Sequence, residues 1–176
     1  MTTSWIRIAA AALLAAAVGA CHVAPDPNAP RRLTDEVSAT GQITAADVPA
    51  LKEKGFKTIV NMRPDDESPD QAKYPEMQAA AMKSGLGYGY IPLKKGAPLQ
   101  ATSAEALNSI LTRMPKPVLI YGETPDRPAA VWALAEASRR GGLEAPAIRE
   151  AMKSAGFKAD ELSAQIDARI AKRPKG

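Results

Sequence analysis

The stretch Pro117-Val118-Leu119-Ile120-Tyr121-Gly122-Glu123-Thr124-Pro125-Asp126-Arg127-Pro128 decides the fold of this chain. Its first half is a short apolar run bounded by Pro117 and Gly122, as expected of a central strand buried on both faces of a sheet. Its second half is polar and feeds an apolar stretch holding Val131, Trp132 and Leu134, which stops at Gly141-Gly142. Pro128 is expected at the first helical position, where a missing N–H costs little. A strand, a short loop and a helix in that order make the unit of a parallel sheet. The loop then lies at the carboxyl end of the strand, where ligands bind in open α/β sheets, and it points N–H groups and a helix N-terminus at an anion.

The flanking sequence repeats the same alternation. A helix is expected over 47–54, with Asp47 as N-cap, Pro49 in the first turn and Gly55 at the end. A strand over 57–61 follows, then a helix over 75–84 that ends at Gly85, a strand marked by Tyr88, Tyr90 and Pro92, and a polar loop over 94–100. Thr102 and Glu105 read as a capping box for a helix running to Met114, with Ala106, Ile110 and Leu111 on its buried stripe. Helices over 146–155 and 160–172 complete the body. The fold class is therefore α/β, a mostly parallel sheet flanked by helices. Trp132 and Leu134 read as core, and Tyr88 and Tyr90 share a strand face that either packs or lines a cleft.

Composition removes several functions. The chain has 176 residues with 45% hydrophobic, 24% charged and a formal charge of +4, within the range of an ordinary globular domain. That charge is too thinly spread to support nucleic-acid binding. The single Cys is Cys21 and the single His is His22, which excludes Cys/His metal clusters, a Ser-His-Asp triad and an internal disulfide. No metal site and no cofactor are expected. The basic ending from Ala168 to Gly176 reads as the usual Lys/Arg enrichment of a helix C-terminus.

The N-terminal segment is read as an address. Arg7 is followed by an apolar run from Ile8 to Val18 and by Gly19 and Ala20, the pattern of an export signal and too short for a comfortable bilayer span. Val18-Gly19-Ala20-Cys21 resembles the lipobox of bacterial lipoproteins, which implies that residues 1–20 are a signal peptide and that Cys21 is the lipidated first residue of the mature chain. The plain reading is a secretory signal ending near Ala20. Several acyl chains, at about 0.8 kcal/mol per buried CH₂, hold a protein to a membrane without a spanning helix. Residues 21–32, with Pro25, Pro27 and Pro30, read as a lipid-anchored tether, and residues 33–176 as the folded domain. The expected location is the bacterial envelope, facing the periplasm. His22 stands where enteric bacteria use Asp for inner-membrane retention, so the outer membrane is expected.

From Glu36 to Ile170 the sequence resembles the phosphatase-like domain associated with the beta-lactamase-hydrolase-like family, a branch of the cysteine-dependent tyrosine/dual-specificity phosphatase fold. The matching residues are Gly41-Gln42; Gly55-Phe56; Thr58-Ile59-Val60-Asn61-Met62-Arg63-Pro64-Asp65 with Glu67; Gly85-Leu86-Gly87-Tyr88 with Ile91-Pro92; Pro117 to Ile120; Val131 to Leu134; and Ala155-Gly156-Phe157. The resemblance implies a loop opened by Cys, containing Gly, and closed by Arg before Ser or Thr. Arg127 fits the closing position. Gly122 or Tyr121 stands where the Cys belongs, Pro125 replaces the Gly, and Pro128 replaces the hydroxyl residue.

Attack by a low-pKa thiolate is closed to such a loop. Pro125 adds no N–H to an anion nest, and Glu123 and Asp126 oppose the charge of Arg127. Each carboxylate about 5 Å from a bound oxyanion costs roughly 3 kcal/mol at an effective dielectric of about 20. Gly122, Glu123, Thr124, Pro125, Asp126 and Arg127 thus read as a degenerate loop. Arg127, Arg63 and Asp65 are the candidate ligand-binding residues, with the plainer reading that Arg127 pairs with Asp126, Glu123 or Asp65. Asp65, Asp66 or Glu67 could serve as a general acid, although that role lacks a nucleophile to assist. The expected function is an inactive pseudophosphatase that binds a protein or small-molecule partner. The alternatives are hydrolysis by non-cysteine chemistry and a structural membrane-attached domain.

Overall fold

The computed structural model describes residues 29–174, so the export signal and Cys21 lie outside the described residues. Five strands form one sheet: β1 (Arg31–Arg32), β2 (Val37–Thr40), β3 (Thr58–Asn61), β4 (Gly87–Tyr90) and β5 (Val118–Tyr121). Their order is β1-β2-β5-β3-β4, and every pair is parallel except the edge pair β1–β2. The strand read from Pro117 to Tyr121 forms as β5, one residue shorter; it is central, flanked by β2 and β3, and all four residues of Val118–Tyr121 are buried.

Alternation along the strands sends successive side chains into two helical layers. Ile59, Leu119 and Tyr121 pack with Val48 and Leu51 of α1 (Val48–Glu53) and Met77 and Ala81 of α2 (Tyr74–Lys83). Val60, Val118 and Ile120 face the other layer, built by α3 (Ala101–Arg113), α4 (Asp126–Ser138), α5 (Ala145–Ser154) and α6 (Ser163–Lys172). Trp132 and Leu134 are fully buried there, in the core role read for them.

Four local expectations are revised. The strand Val37–Thr40 was not expected, and β1 falls at the end of the stretch read as a tether. Helix α3 starts at Ala101 with Gln100 at the cap position in extended conformation, so Thr102 lies inside the first turn and forms no capping box with Glu105. Asp47 precedes α1 as expected, but its carboxylate reaches back to accept the Thr44 N–H at 2.7 Å. Helix α4 begins at Asp126 rather than Pro128, because a proline anywhere in the first turn removes only an N–H that has no intrahelical acceptor.

Candidate functional site

The four parallel strands end in register at Thr40, Tyr121, Asn61 and Tyr90. The loops after β2, β5, β3 and β4 all leave from this pole, including the stretch 122–128. That loop is pinned to the sheet through its first residues: the Gly122 N–H donates to the Thr40 carbonyl at 3.3 Å, and the Tyr121 carbonyl accepts the Met62 N–H at 2.9 Å.

Neither position that could open the loop offers a nucleophile. Tyr121 is 1% exposed and its side chain belongs to the α1/α2 layer. Burial raises its phenol well above the ordinary value, as does the neighbouring Tyr88, so it stays protonated. Gly122 has no side chain, and a Cβ there would lie 2.9 Å from both the Thr124 carbonyl oxygen and Pro128 Cγ. The loop backbone and the Pro128 ring occupy the space in which a side chain at 122 would stand.

Two of the loop's three charged residues, Glu123 and Arg127, are committed elsewhere. Lys95 Nζ donates to Glu123 at 2.9 Å, and this hydrogen bond holds the exposed Glu123 carboxyl below its ordinary range. Arg127 does not pair with Asp126, Glu123 or Asp65. Its guanidinium donates to the Lys94 carbonyl at 2.6 Å and the Ala97 carbonyl at 3.0 Å, fixing the loop after β4. A loop of backbone carbonyls that approaches within reach satisfies the guanidinium without any carboxylate.

The loop after β3 is built differently. Arg63 is 6% exposed; its Nε donates to Glu67 at 2.6 Å and its Nη1 to the Gln42 side-chain oxygen. Its own N–H donates to Asn61 Oδ1 at 2.8 Å. Asp65 accepts the Tyr74 N–H at 2.6 Å and so serves the first turn of α2, while Gln71 donates to the Pro64 carbonyl at 2.5 Å. Asp66 stays exposed. Of the three acids read after β3, Glu67 is thus an ion-pair partner and Asp65 a helix cap.

Between these loops lies a cavity of about 40 Å³, lined by Arg63, Glu67, Lys95, Gly122, Glu123 and Arg127. It has room for a few waters. An outer groove of about 510 Å³ runs beside it, with Pro64 and Pro92 as its apolar part, Asp66 and Glu67 along one side, and Lys94 and Lys95 along the other. A further cleft of about 630 Å³ lies at the opposite pole, among Val37, Leu111, Lys116, Glu136 and Arg139.

Sequence reading missed one feature of the site. All four tyrosines of the chain gather at the ends of β4 and β5, with the Tyr74 ring 4.8 Å from Tyr90 and 5.7 Å from Tyr88. The i, i+2 spacing reveals the shared face of Tyr88 and Tyr90, but no local signal brings Tyr74 or Tyr121 to it. The buried Tyr88 hydroxyl lies near Asn61 and Tyr121 without a well-formed hydrogen bond, and burial raises its pKa. Among the described residues no group of three His, Cys, Asp or Glu side chains is placed to hold a metal ion.

The parallel sheet between two helical layers, with a strand–loop–helix unit closed by Arg127 at its carboxyl pole, defines the class: a cysteine-dependent-phosphatase-like α/β domain. Solved structures of that class superpose on it. A candidate phosphatase from Neisseria meningitidis matches with a TM-score of 0.66 at 23% identity, covering 78% of this chain and 96% of that one. The Cys-to-Ser form of TpbA from P. aeruginosa in complex with pTyr matches with a TM-score of 0.55 at 18% identity, covering 85% and 93%. Residues 30–139 match the model of the phosphatase-like domain of beta-lactamase hydrolase-like protein, and the chain belongs to that family. The beta-lactamase hydrolase-like protein of Agrobacterium fabrum is 30% identical over 126 residues, covering 72% of this chain and 29% of the relative. The chain thus spans under a third of that relative's length.

Proposed function

We propose that this chain is an envelope lipoprotein whose phosphatase-like domain is a pseudophosphatase, engaging a partner or small ligand at the pole of the degenerate loop. One observation carries the reading: the loop that should open with Cys opens with a buried tyrosine and a glycine that has no room for a side chain, and the chain's single Cys lies at position 21. Without a thiolate there is no group to attack phosphorus in this fold's manner. The small volume of the cavity and the commitment of Arg127 to backbone carbonyls support the same view.

The test has two arms. The domain lacking residues 1–21 is expected to leave aryl phosphates unhydrolysed above background, and vanadate-sensitive turnover would overturn the pseudoenzyme. In the full chain, Cys21→Ser is expected to release the protein from membrane fractions or block its processing, and unchanged fractionation and mature mass would overturn the lipid anchor.

A further inference from the structure

The edge strand β1 runs antiparallel to β2, with Arg31 opposite Ala39 and Arg32 opposite Ser38. Ala29 and Pro30, which precede Arg31, therefore leave the sheet toward Thr40, the carboxyl end of β2. Thr40, Tyr121, Asn61 and Tyr90 end together, so the chain enters the domain at the same pole as the loops 62–73, 91–100 and 122–125.

The distance available upstream is short. Cys21 to Asn28 is eight residues, which span at most about 28 Å when fully extended. A compact body of this size has a radius of gyration near 15 Å, hence a radius of about 19 Å and a path of roughly 60 Å from one pole around its surface to the other. A tether of that length cannot pass around the domain to bring the opposite pole, with Lys57 and Lys116 before their strands, against the surface that holds Cys21.

We infer that the pole carrying the degenerate loop and the Arg63–Glu67 pair is the membrane-facing pole of the anchored protein, held there by the short tether and not by adhesion to lipid. This rests on the lipid-anchored reading of Cys21. The charge of the pole separates tethering from adhesion. Arg63 is paired with Glu67, Lys95 with Glu123, and Arg127 with two carbonyls, and the exposed charges left include Lys73 and Lys94 together with Asp66, Asp70 and Asp126. Such a mixed set lacks the clustered Lys and Arg that adhere to anionic lipid. The tether alone then sets the orientation.

The experiment uses the full lipidated chain in vesicles containing anionic lipid and a nitroxide-headgroup lipid, with a fluorophore placed through Asp66→Cys or Lys57→Cys, two exposed positions at opposite ends of β3. The probe at 66 is expected to be quenched more strongly than the probe at 57. Equal quenching, or stronger quenching at 57, overturns the orientation. Inserting about twenty flexible residues after Asn28, a contour of about 70 Å, is expected to equalise the two probes. A bias that survives the insertion means that the pole itself adheres to lipid, which overturns orientation by the tether. Failure of the unmutated chain to sediment with vesicles overturns the anchor and the orientation together, whereas sedimentation with equal quenching overturns the orientation alone.

Discussion

Two loops leave neighbouring strands at the same pole, and they are held in opposite ways. The loop after β3 buries an arginine against a glutamate, with side chains 7% and 10% exposed, and adds Gln42, Asn61, Asp65 and Gln71 as hydrogen-bonding partners. The loop after β5 has an exposed ion pair from Glu123 to Lys95, a glycine with no space above it, and an arginine turned onto the backbone of a third loop. Buried polar groups must be matched in position, because an unpaired one costs a large part of the stability of a domain. The buried polar contacts that order this pole therefore lie in the loop after β3, although Gln71 Oε1 is left there without a hydrogen-bond partner.

Removing one side of the buried pair is the strongest way to break this contrast. Arg63→Met leaves the Glu67 carboxylate and the Gln42 oxygen without their partner, and it is expected to cost about 3–5 kcal/mol, read as a drop in melting temperature. A loss comparable to that of an exposed pair would show that the loop after β3 is not the ordered one.

Gly122→Cys sharpens the contrast from the other side. The new Cβ must displace the Thr124 carbonyl or the Pro128 ring, at a cost of about 1–3 kcal/mol in stability, and the thiol enters a loop that already carries Glu123 and Asp126. The variant is expected to melt lower and to show no phosphatase activity toward aryl phosphates. Turnover by this single variant would mean that the loop is a cradle lacking only its nucleophile.

Much of the frame is legible in the sequence. Val118-Leu119-Ile120 announces a buried strand, and Gly55, Gly85 and Gly141 mark helix ends where the backbone adopts positive φ. Strand β2 escapes because Val-Ser-Ala-Thr is short and half polar, and its burial comes from pairing with β1 and β5 and from packing against α4. At the site, the residue types at the ends of the loop after β5 were readable, but the partners of Arg127 were not. Those partners are carbonyls about thirty residues away, and a backbone oxygen carries no sequence signature. The Arg63–Glu67 pair shows the same limit: its i, i+4 spacing suits an exposed pair as well as a buried one, and burial is decided by the loops packed around it.

The central claim, that the loop after β5 performs no anion chemistry, is tested most directly by titrating tungstate into the domain under calorimetric observation. Three forms are compared: the natural sequence, Arg127→Ala, and a combined variant carrying Gly122→Cys, Pro125→Gly, Glu123→Gln and Asp126→Asn. The predicted result is no measurable heat of binding for the first two and saturable binding for the third. Saturable binding by the natural sequence that disappears in Arg127→Ala would contradict it, because the guanidinium would then serve the ligand and not the carbonyls of Lys94 and Ala97.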